Sequence, residues 1–472
     1  MPKFDFSSYL SPFTWRYGSP KMRKIFSEEY KYQLWRKIWI ALAEAQFKAG
    51  LLTKKELDDL VKNQNNLDID EILSLEEQTK HDVVAAIKEF AGKAKVGGGK
   101  IHLGATSMDI VDNADAIRIK EALVIIEEKL KKTLSLFAKK IEKYAKVSCL
   151  GYTHLQPAEP TTVGYRLSFY AQDLLTDYEF LQFVKKIFKG KGMKGAVGTG
   201  ASYDQILNQV QNDKKARMTF SQLEKEVSQK LGIDFSLISS QVYSRKFDYL
   251  VLSVLNSIAS SLSKFAADLR ILQSPAIGEW AEPFGDKQVG SSAMPFKKNP
   301  INSEKICSLA RLVNALPQVI LENASLSYLE RTLDDSANKR VIIPEAFLAV
   351  DEILQTAEKL VEGLVINEKK IKFNLSQYAP FAANEPILTG AVVHGANRQA
   401  IHEVLRQVSL KAWAEVQGGK DNPMEDLLMK DKTLTKYLSK EKIKKLLDVS
   451  SHIGDAPDRA LLLVKKIKEI VK

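Results

Sequence analysis

At 472 residues the chain is too long for one simple core and predicts about two to four domains or one large elongated bundle. Its 45% hydrophobic and 27% charged residues lie in the globular range, which excludes wholesale disorder and a fibrous repeat. The net charge of +11 is dispersed in mixed runs such as Glu127-Glu128-Lys129-Leu130-Lys131-Lys132, so no nucleic-acid interface is expected, although a positive field would gather an anionic substrate.

No secretory pattern precedes Phe4-Asp5-Phe6, and the two cysteines, Cys149 and Cys307, lack metal-ligand spacing, so a reducing, cytoplasmic setting is expected. Helical periodicity governs from there on. A first long pattern covers residues 28–49 and is followed by the polar cluster Lys80-His81-Asp82 and a Gly-rich break at 96–99. A second cluster, Ile101-His102-Leu103-Gly104-Ala105-Thr106-Ser107, precedes the apolar stripe Leu123, Ile126, Leu130, Leu134, Phe137, Ile141 and Tyr144, one face of an amphipathic helix. A third, Tyr152-Thr153-His154-Leu155-Gln156-Pro157, leads into a helical pattern at 162–186. Gly192, Gly195, Gly198 and Gly200 follow without a Gly-Lys-Ser/Thr, which predicts a tight or flexible turn and no phosphate cradle. Helical patterns then run over 248–272, 303–324 and 345–363. Tyr249 to Ser263 is Ser-interrupted and shorter than the ~20 residues of a membrane span, so no membrane segment is expected. Strand-like alternation is scarce, and the fold class is all-α.

The residues able to carry chemistry are concentrated. His81, His102 and His154 are three of six histidines, each in a polar cluster where a partner could fix its tautomer for acid or base work. Between Gly290 and Pro300 the run Ser291-Ser292-Ala293-Met294-Pro295-Phe296-Lys297-Lys298-Asn299 combines hydroxyls, cations and an amide in a Gly- and Pro-bounded loop suited to an anion. Residue chemistry alone does not choose between Ser291 and Ser292.

This loop resembles the mobile signature loop of the fumarase/aspartase superfamily, whose members release fumarate by β-elimination. Thr153-His154-Leu155-Gln156-Pro157-Ala158 resembles its Thr-His-x-Gln-x-Ala element, and Gly104-Ala105-Thr106-Ser107 a third motif. Leu329-Glu330-Arg331-Thr332-Leu333-Asp334-Asp335-Ser336-Ala337-Asn338-Lys339-Arg340 looks like the adenylosuccinate lyase family within it, as do Trp15-Arg16-Tyr17-Gly18-Ser19-Pro20 and Lys80-His81-Asp82-Val83-Val84-Ala85. The resemblance implies a three-domain, fumarase/aspartase-like fold with a long central helical bundle. Its expected limits are 1–107, 108–363 with the loop at 288–300, and 364–472. It implies a homotetramer with shared active sites, a small anionic nucleotide substrate, and neither cofactor nor metal. Ser291 is then the expected base, His154 the acid, Glu304 its partner, and Lys297 with Asn299 the grip on the succinyl carboxylates. Arg16, Tyr17, Lys80, His81, Asp82, Thr106, Ser107, Thr153, Gln241, Arg331, Leu333, Ser336 and Arg340 are the expected substrate-binding residues. The resemblance leaves open whether His81 acts in catalysis or binds phosphate. Lys80 and Lys305 stand where Arg is common in the family, which keeps charge but loses a two-pronged contact. The alternatives are argininosuccinate lyase or another fumarate-releasing relative, and a non-catalytic helical protein that binds nucleotide.

Overall fold

The computed structural model describes residues 7–211, 218–285, 287–294, 296–448 and 452–471; Phe4, Asp5, Phe6 and the loop residue Pro295 lie outside the described residues. Among those described are eighteen α-helices and two small two-stranded sheets, as an all-α reading requires. Local chemistry accounts for the helix ends. Ser27 caps the helix Glu28–Lys48 by accepting from the Tyr30 N–H, and Glu28 and Glu29 meet its N-terminal dipole. The helix stops before Gly50, whose φ of 82° is left-handed.

The chain divides into two compact units, each assembled from three stretches: 1–129, 177–260 and 309–354 in the first, and 130–176, 261–308 and 355–472 in the second. The limits fall inside five long helices: Ser107–Tyr144, Val163–Ile187, Lys246–Gln273, Ile301–Ser325 and Asp334–Gly363. In the first unit Trp35 is buried and meets Tyr32 and Trp39 edge-on at centroid distances of 5.1 and 6.3 Å. The buried Arg36–Glu89 ion pair ties Glu28–Lys48 to Asp82–Lys93, and the guanidinium also lies 3.7 Å from the centre of the Phe90 ring. In the second unit Phe265 packs edge-on against Phe137 and Tyr170, each at 5.2 Å, while the carboxy-terminal helices close over Ile387, Ile401, Leu428 and Ile443.

Two helical expectations are adjusted. The pattern placed at 345–363 begins eleven residues earlier, as Asp334–Gly363, with Pro344 inside it. Asp334 and Asp335 favour a helix start there, whereas Pro344 cannot donate to the carbonyl of Arg340, and this disguised the helix in the sequence. Lys246–Gln273 extends beyond the stretch weighed as a membrane span; by length and composition it could cross a bilayer, and half of its most apolar window is buried.

The sheet most relevant to chemistry is a hairpin in the second unit, which the sequence pattern did not signal. Strand β1 (Ser148–Thr153) pairs antiparallel with β2 (Gln156–Thr162), with a register shift between Leu150 and Tyr152. Only His154 and Leu155 lie between the paired Thr153 and Gln156, both left-handed at φ 53° and 59°. Such a two-residue turn ordinarily uses Asn-Gly. The other sheet pairs β3 (Trp280–Ala281) with β4 (Val365–Ile366).

Candidate active site

In the first unit a cavity of about 410 Å³ gathers most of the expected nucleotide residues: Lys80, His81, Asp82, Ser107, Arg331, Leu333, Ser336 and Arg340 all line it. The helix Ile69–Thr79 ends at Lys80, which is left-handed at φ 52° and turns the chain directly into Asp82–Lys93. His81 caps that second helix, its Nδ1 accepting from the Val84 N–H at 3.4 Å, so geometry assigns the proton to Nε2. Asp82 receives a hydrogen bond from Arg340 at 3.0 Å, joining the Lys80-His81-Asp82 cluster to the start of Asp334–Gly363.

Ser107 opens the 38-residue helix Ser107–Tyr144, where unpaired N–H groups and the helix dipole favour an anion. Its position is set by Asp109, which is fully buried. One carboxylate oxygen of Asp109 accepts from the N–H of Thr106 at 3.0 Å and the hydroxyl of Tyr203 at 3.0 Å. The other takes the Lys191 ammonium and the N–H groups of Lys194 and Gly195, at 3.1 and 3.2 Å. Burial and this carboxylate push the Tyr203 hydroxyl well above its usual range. The Gly-rich 190–200 segment is therefore a tight wrap around Asp109; at Gly198, φ is 88° and a Cβ would meet the Ser239 carbonyl oxygen at 1.9 Å. His102, the remaining clustered histidine, accepts from the Trp39 indole at 3.1 Å, and burial lowers its pKa to about 4. It is a neutral structural group holding the segment before Thr106.

Among the lining residues that were not anticipated are Asp112, Asp115, Arg245 and Lys339. Arg245 and Lys339, both buried, are paired inside the protein: Arg245 with Asp335 at 2.5 Å and Asp112 at 3.1 Å, Lys339 with Asp115 at 3.2 Å. Burial would raise the Asp115 pKa, but Lys339 and Arg118 hold it below the ordinary value. Asp112 and Asp115 sit three apart on a helix in which their neighbours Ile110, Ala114, Ile117 and Ile119 are buried, a signal the sequence did contain. Of the other expected binders, Gln241 accepts from Arg331 at 3.4 Å, and Arg16 and Tyr17 donate their backbone N–H groups to Pro12.

The expected acid and base residues all belong to the second unit. His154 is exposed at the hairpin turn, with Thr153 beside it. In the 290–300 loop the Ser291 hydroxyl oxygen accepts from the Met294 N–H at 3.1 Å, and Asn299 donates to the Gly290 carbonyl at 2.8 Å. A Cβ at Gly290 would lie 1.9 Å from the Lys297 carbonyl oxygen, so the two arms of the loop touch through a residue that has to be glycine. Both loop ends are fastened. Gln273 bridges the Glu282 N–H and the Lys298 carbonyl, each at 2.9 Å, while the Glu282 carboxylate accepts from the first N–H groups of Ile301–Ser325, Ser303 at 2.6 Å and Asn302 at 3.2 Å. Glu304, in that first helical turn, has Arg270 at 3.9 Å. Among the described residues no three His, Cys, Asp or Glu side chains are grouped to hold a metal ion.

Comparison with known proteins gives the family. A lyase family model matches residues 15–314, and a model of the adenylosuccinate lyase C-terminus matches 380–460. The fold is shared with a fumarate lyase from Mesorhizobium sp. BNC1 (TM-score 0.82, 21% identity, 97% of this chain and 99% of that one). It is also shared with a 3-carboxy-cis,cis-muconate lactonizing enzyme from Pseudomonas putida (TM-score 0.83, 23% identity, the same coverage). Family and fold together define a lyase of an all-α fold. Adenylosuccinate lyases of Schistosoma mansoni and Saccharomyces cerevisiae are 39% and 36% identical, over 90% and 98% of this chain and 88% and 95% of theirs; that of Methanocaldococcus jannaschii is 35% identical over 97% and 96%. The chain belongs to the adenylosuccinate lyase family.

Proposed function

We propose that this protein cleaves adenylosuccinate to AMP and fumarate, and the succinyl-carboxamide imidazole ribotide to AICAR and fumarate. The observation that carries the reading is the first-unit cavity, where Lys80, His81, Ser107, Arg331, Ser336 and Arg340 converge in a chain of this family. Arginine forks and a helix N-terminus supply charge-assisted hydrogen bonds to a phosphate.

The elimination needs a base, an acid and a cradle for negative charge. Ser291 removes the proton from the succinyl carbon next to the one that bears nitrogen; the electron pair forms the carbon–carbon double bond as the C–N bond breaks, and His154 protonates the departing nitrogen. Charge accumulating on the adjacent carboxylate is met by Lys297 and Asn299. A serine hydroxyl is a poor base unless its oxyanion is stabilised, and the Met294 N–H already directed at Ser291 Oγ supports that role. Glu304 orients His154 within a homotetramer that pools residues from three subunits. Exposed apolar side chains such as Phe169 (51%), Phe183 (53%) and Leu237 (89%) support self-association. No nucleic acid, membrane or cofactor takes part, and the setting is the cytoplasm.

The test is fumarate release by purified protein given adenylosuccinate, with argininosuccinate in a parallel reaction. Release from the first alone is expected. Release from the second alone would reassign the substrate, and release from neither, with nucleotide still bound, would leave a non-catalytic binding protein.

A further inference from the structure

The turn carrying His154 is joined to the rest of the hairpin by a short and poorly bonded arm. Beyond the irregularity at Leu150 and Tyr152 only two residue pairs remain before the turn, Tyr152 with Pro157 and Thr153 with Gln156. Pro157 has no N–H to give, and neither has Pro160, which faces Leu150. Gly151 lies at the irregularity, where a Cβ would meet the Glu159 carbonyl oxygen at 2.6 Å. The backbone ladder alone therefore does little to fix the direction in which the turn projects. Two left-handed non-glycine residues at its tip add strain that some other contact has to hold.

A buried ion pair grips both sides of the irregularity. Arg166 donates through Nη2 to the Leu150 carbonyl, which Pro160 cannot serve, and through Nη1 to Glu279 at 3.2 Å. The Tyr152 hydroxyl donates to the other oxygen of Glu279, also at 3.2 Å. Asn374 holds that same oxygen at 3.0 Å and the Ile277 carbonyl at 2.9 Å, which anchors the carboxylate to its own surroundings. Glu279 is fully buried and Arg166 is 7% exposed, so neither can meet substrate. A buried pair of this kind is weak evidence of added stability, and its attested use is to specify one geometry.

We propose that Arg166, Glu279 and Tyr152 form a positioning clamp for His154, fixing the strand before the turn so that the imidazole is presented in one orientation. This rests on the reading of His154 as the acid of the elimination. The three residues act through His154 and are positioning residues.

The variants are Tyr152→Phe, which cuts the link to the hairpin without stranding a buried charge, and Arg166→Lys, which keeps the charge but cannot serve two acceptors in fixed directions. kcat, KM and the pH profile of kcat are measured with adenylosuccinate, and unfolding is followed by circular dichroism. Tyr152→Phe should keep KM within about twofold while kcat falls on the order of tenfold, since small misplacements of a catalytic group are costly. The alkaline limb of the kcat profile, where the acid loses its proton, should move as well. Arg166→Lys should show the same signature, more strongly. Unchanged kcat and an unchanged alkaline limb in folded Tyr152→Phe would overturn the clamp, whatever happens to Arg166→Lys. So would a loss confined to KM or to thermal stability. An inactive wild-type protein would instead overturn the proposed reaction, so the two failures are distinguishable.

Discussion

His102 gives the fold a built-in sensitivity to acid, and its size follows from the geometry. The ring accepts from the Trp39 indole through Nδ1, and burial lowers its pKa from 6.5 to about 4. In the unfolded chain the same imidazole takes up a proton near pH 6.5, so between pH 6.5 and 4 the unfolded state binds the extra proton. Stability therefore rises with pH across that window, is complete above it, and is lost as pH falls. The full shift corresponds to roughly 3 kcal/mol, of which ~2 kcal/mol should already be gone at pH 5 relative to pH 7. His102→Gln retains an acceptor for Trp39 but no titration. Urea unfolding of both proteins at pH 7 and pH 5 isolates the term, because the carboxylates common to both cancel in the difference. The wild type should lose about 2 kcal/mol more than the variant over that interval. Equal losses would show that His102 is not the neutral, partly buried group its contacts describe.

Ser291→Ala should abolish fumarate release while leaving adenylosuccinate binding close to that of the wild type by calorimetry; retained turnover would place the base elsewhere, with Ser292 or His81 next to test. Arg340→Ala removes one charge-assisted hydrogen bond and should raise KM by about 10- to 100-fold with a much smaller change in kcat, whereas an unchanged KM would count against the cavity as the nucleotide site. Asp109→Asn leaves the buried Lys191 without its counter-charge and should cost about 3–5 kcal/mol in urea unfolding; a loss below ~1 kcal/mol would refute its role as the hub of the 190–200 wrap.

Helices were legible wherever apolar periodicity was long and uninterrupted. The pattern at 28–49 became Glu28–Lys48 and that at 303–324 became Ile301–Ser325, because burial of one face is what a 3.6-residue repeat encodes. Asp334–Gly363 lost its first eleven residues to a rule that is usually sound, since Pro344 reads as a helix start. The hairpin was illegible for a different reason: prolines at 157 and 160 argue against strand, and the bonds that hold it come from Arg166, in the helix that follows, and from Glu279, far off in sequence. Candidate site residues were found by motif. Their supports, Asp109, Arg245, Lys339 and Glu279, were not, because a charged residue destined for burial looks in sequence like one destined for solvent.

The strained backbone positions follow the same division between what pattern reveals and what only three dimensions supply. Among the described residues five that are not glycine adopt left-handed φ: Lys80, His102, His154, Leu155 and Leu329. Each costs about 1–2 kcal/mol, so together they are comparable to the ~5–15 kcal/mol by which a domain is usually stable. They are not scattered. Lys80 turns the chain at the cavity, His102 holds the segment before Thr106, His154 and Leu155 form the hairpin turn, and Leu329 lies two residues before Arg331. Glycine would meet the backbone requirement at every one of them with less strain, and at Lys80 and His154 it would remove the side chain the proposed chemistry uses. At Leu155 and Leu329, which are 65% and 94% exposed, neither packing nor hydrogen bonding among the described residues accounts for leucine. A partner subunit in the proposed homotetramer would supply a reason to keep an exposed apolar side chain on strained backbone. Leu155→Gly should then raise the stability of the isolated subunit while weakening the tetramer in analytical ultracentrifugation, and an unaltered tetramer would leave that leucine without a role in assembly.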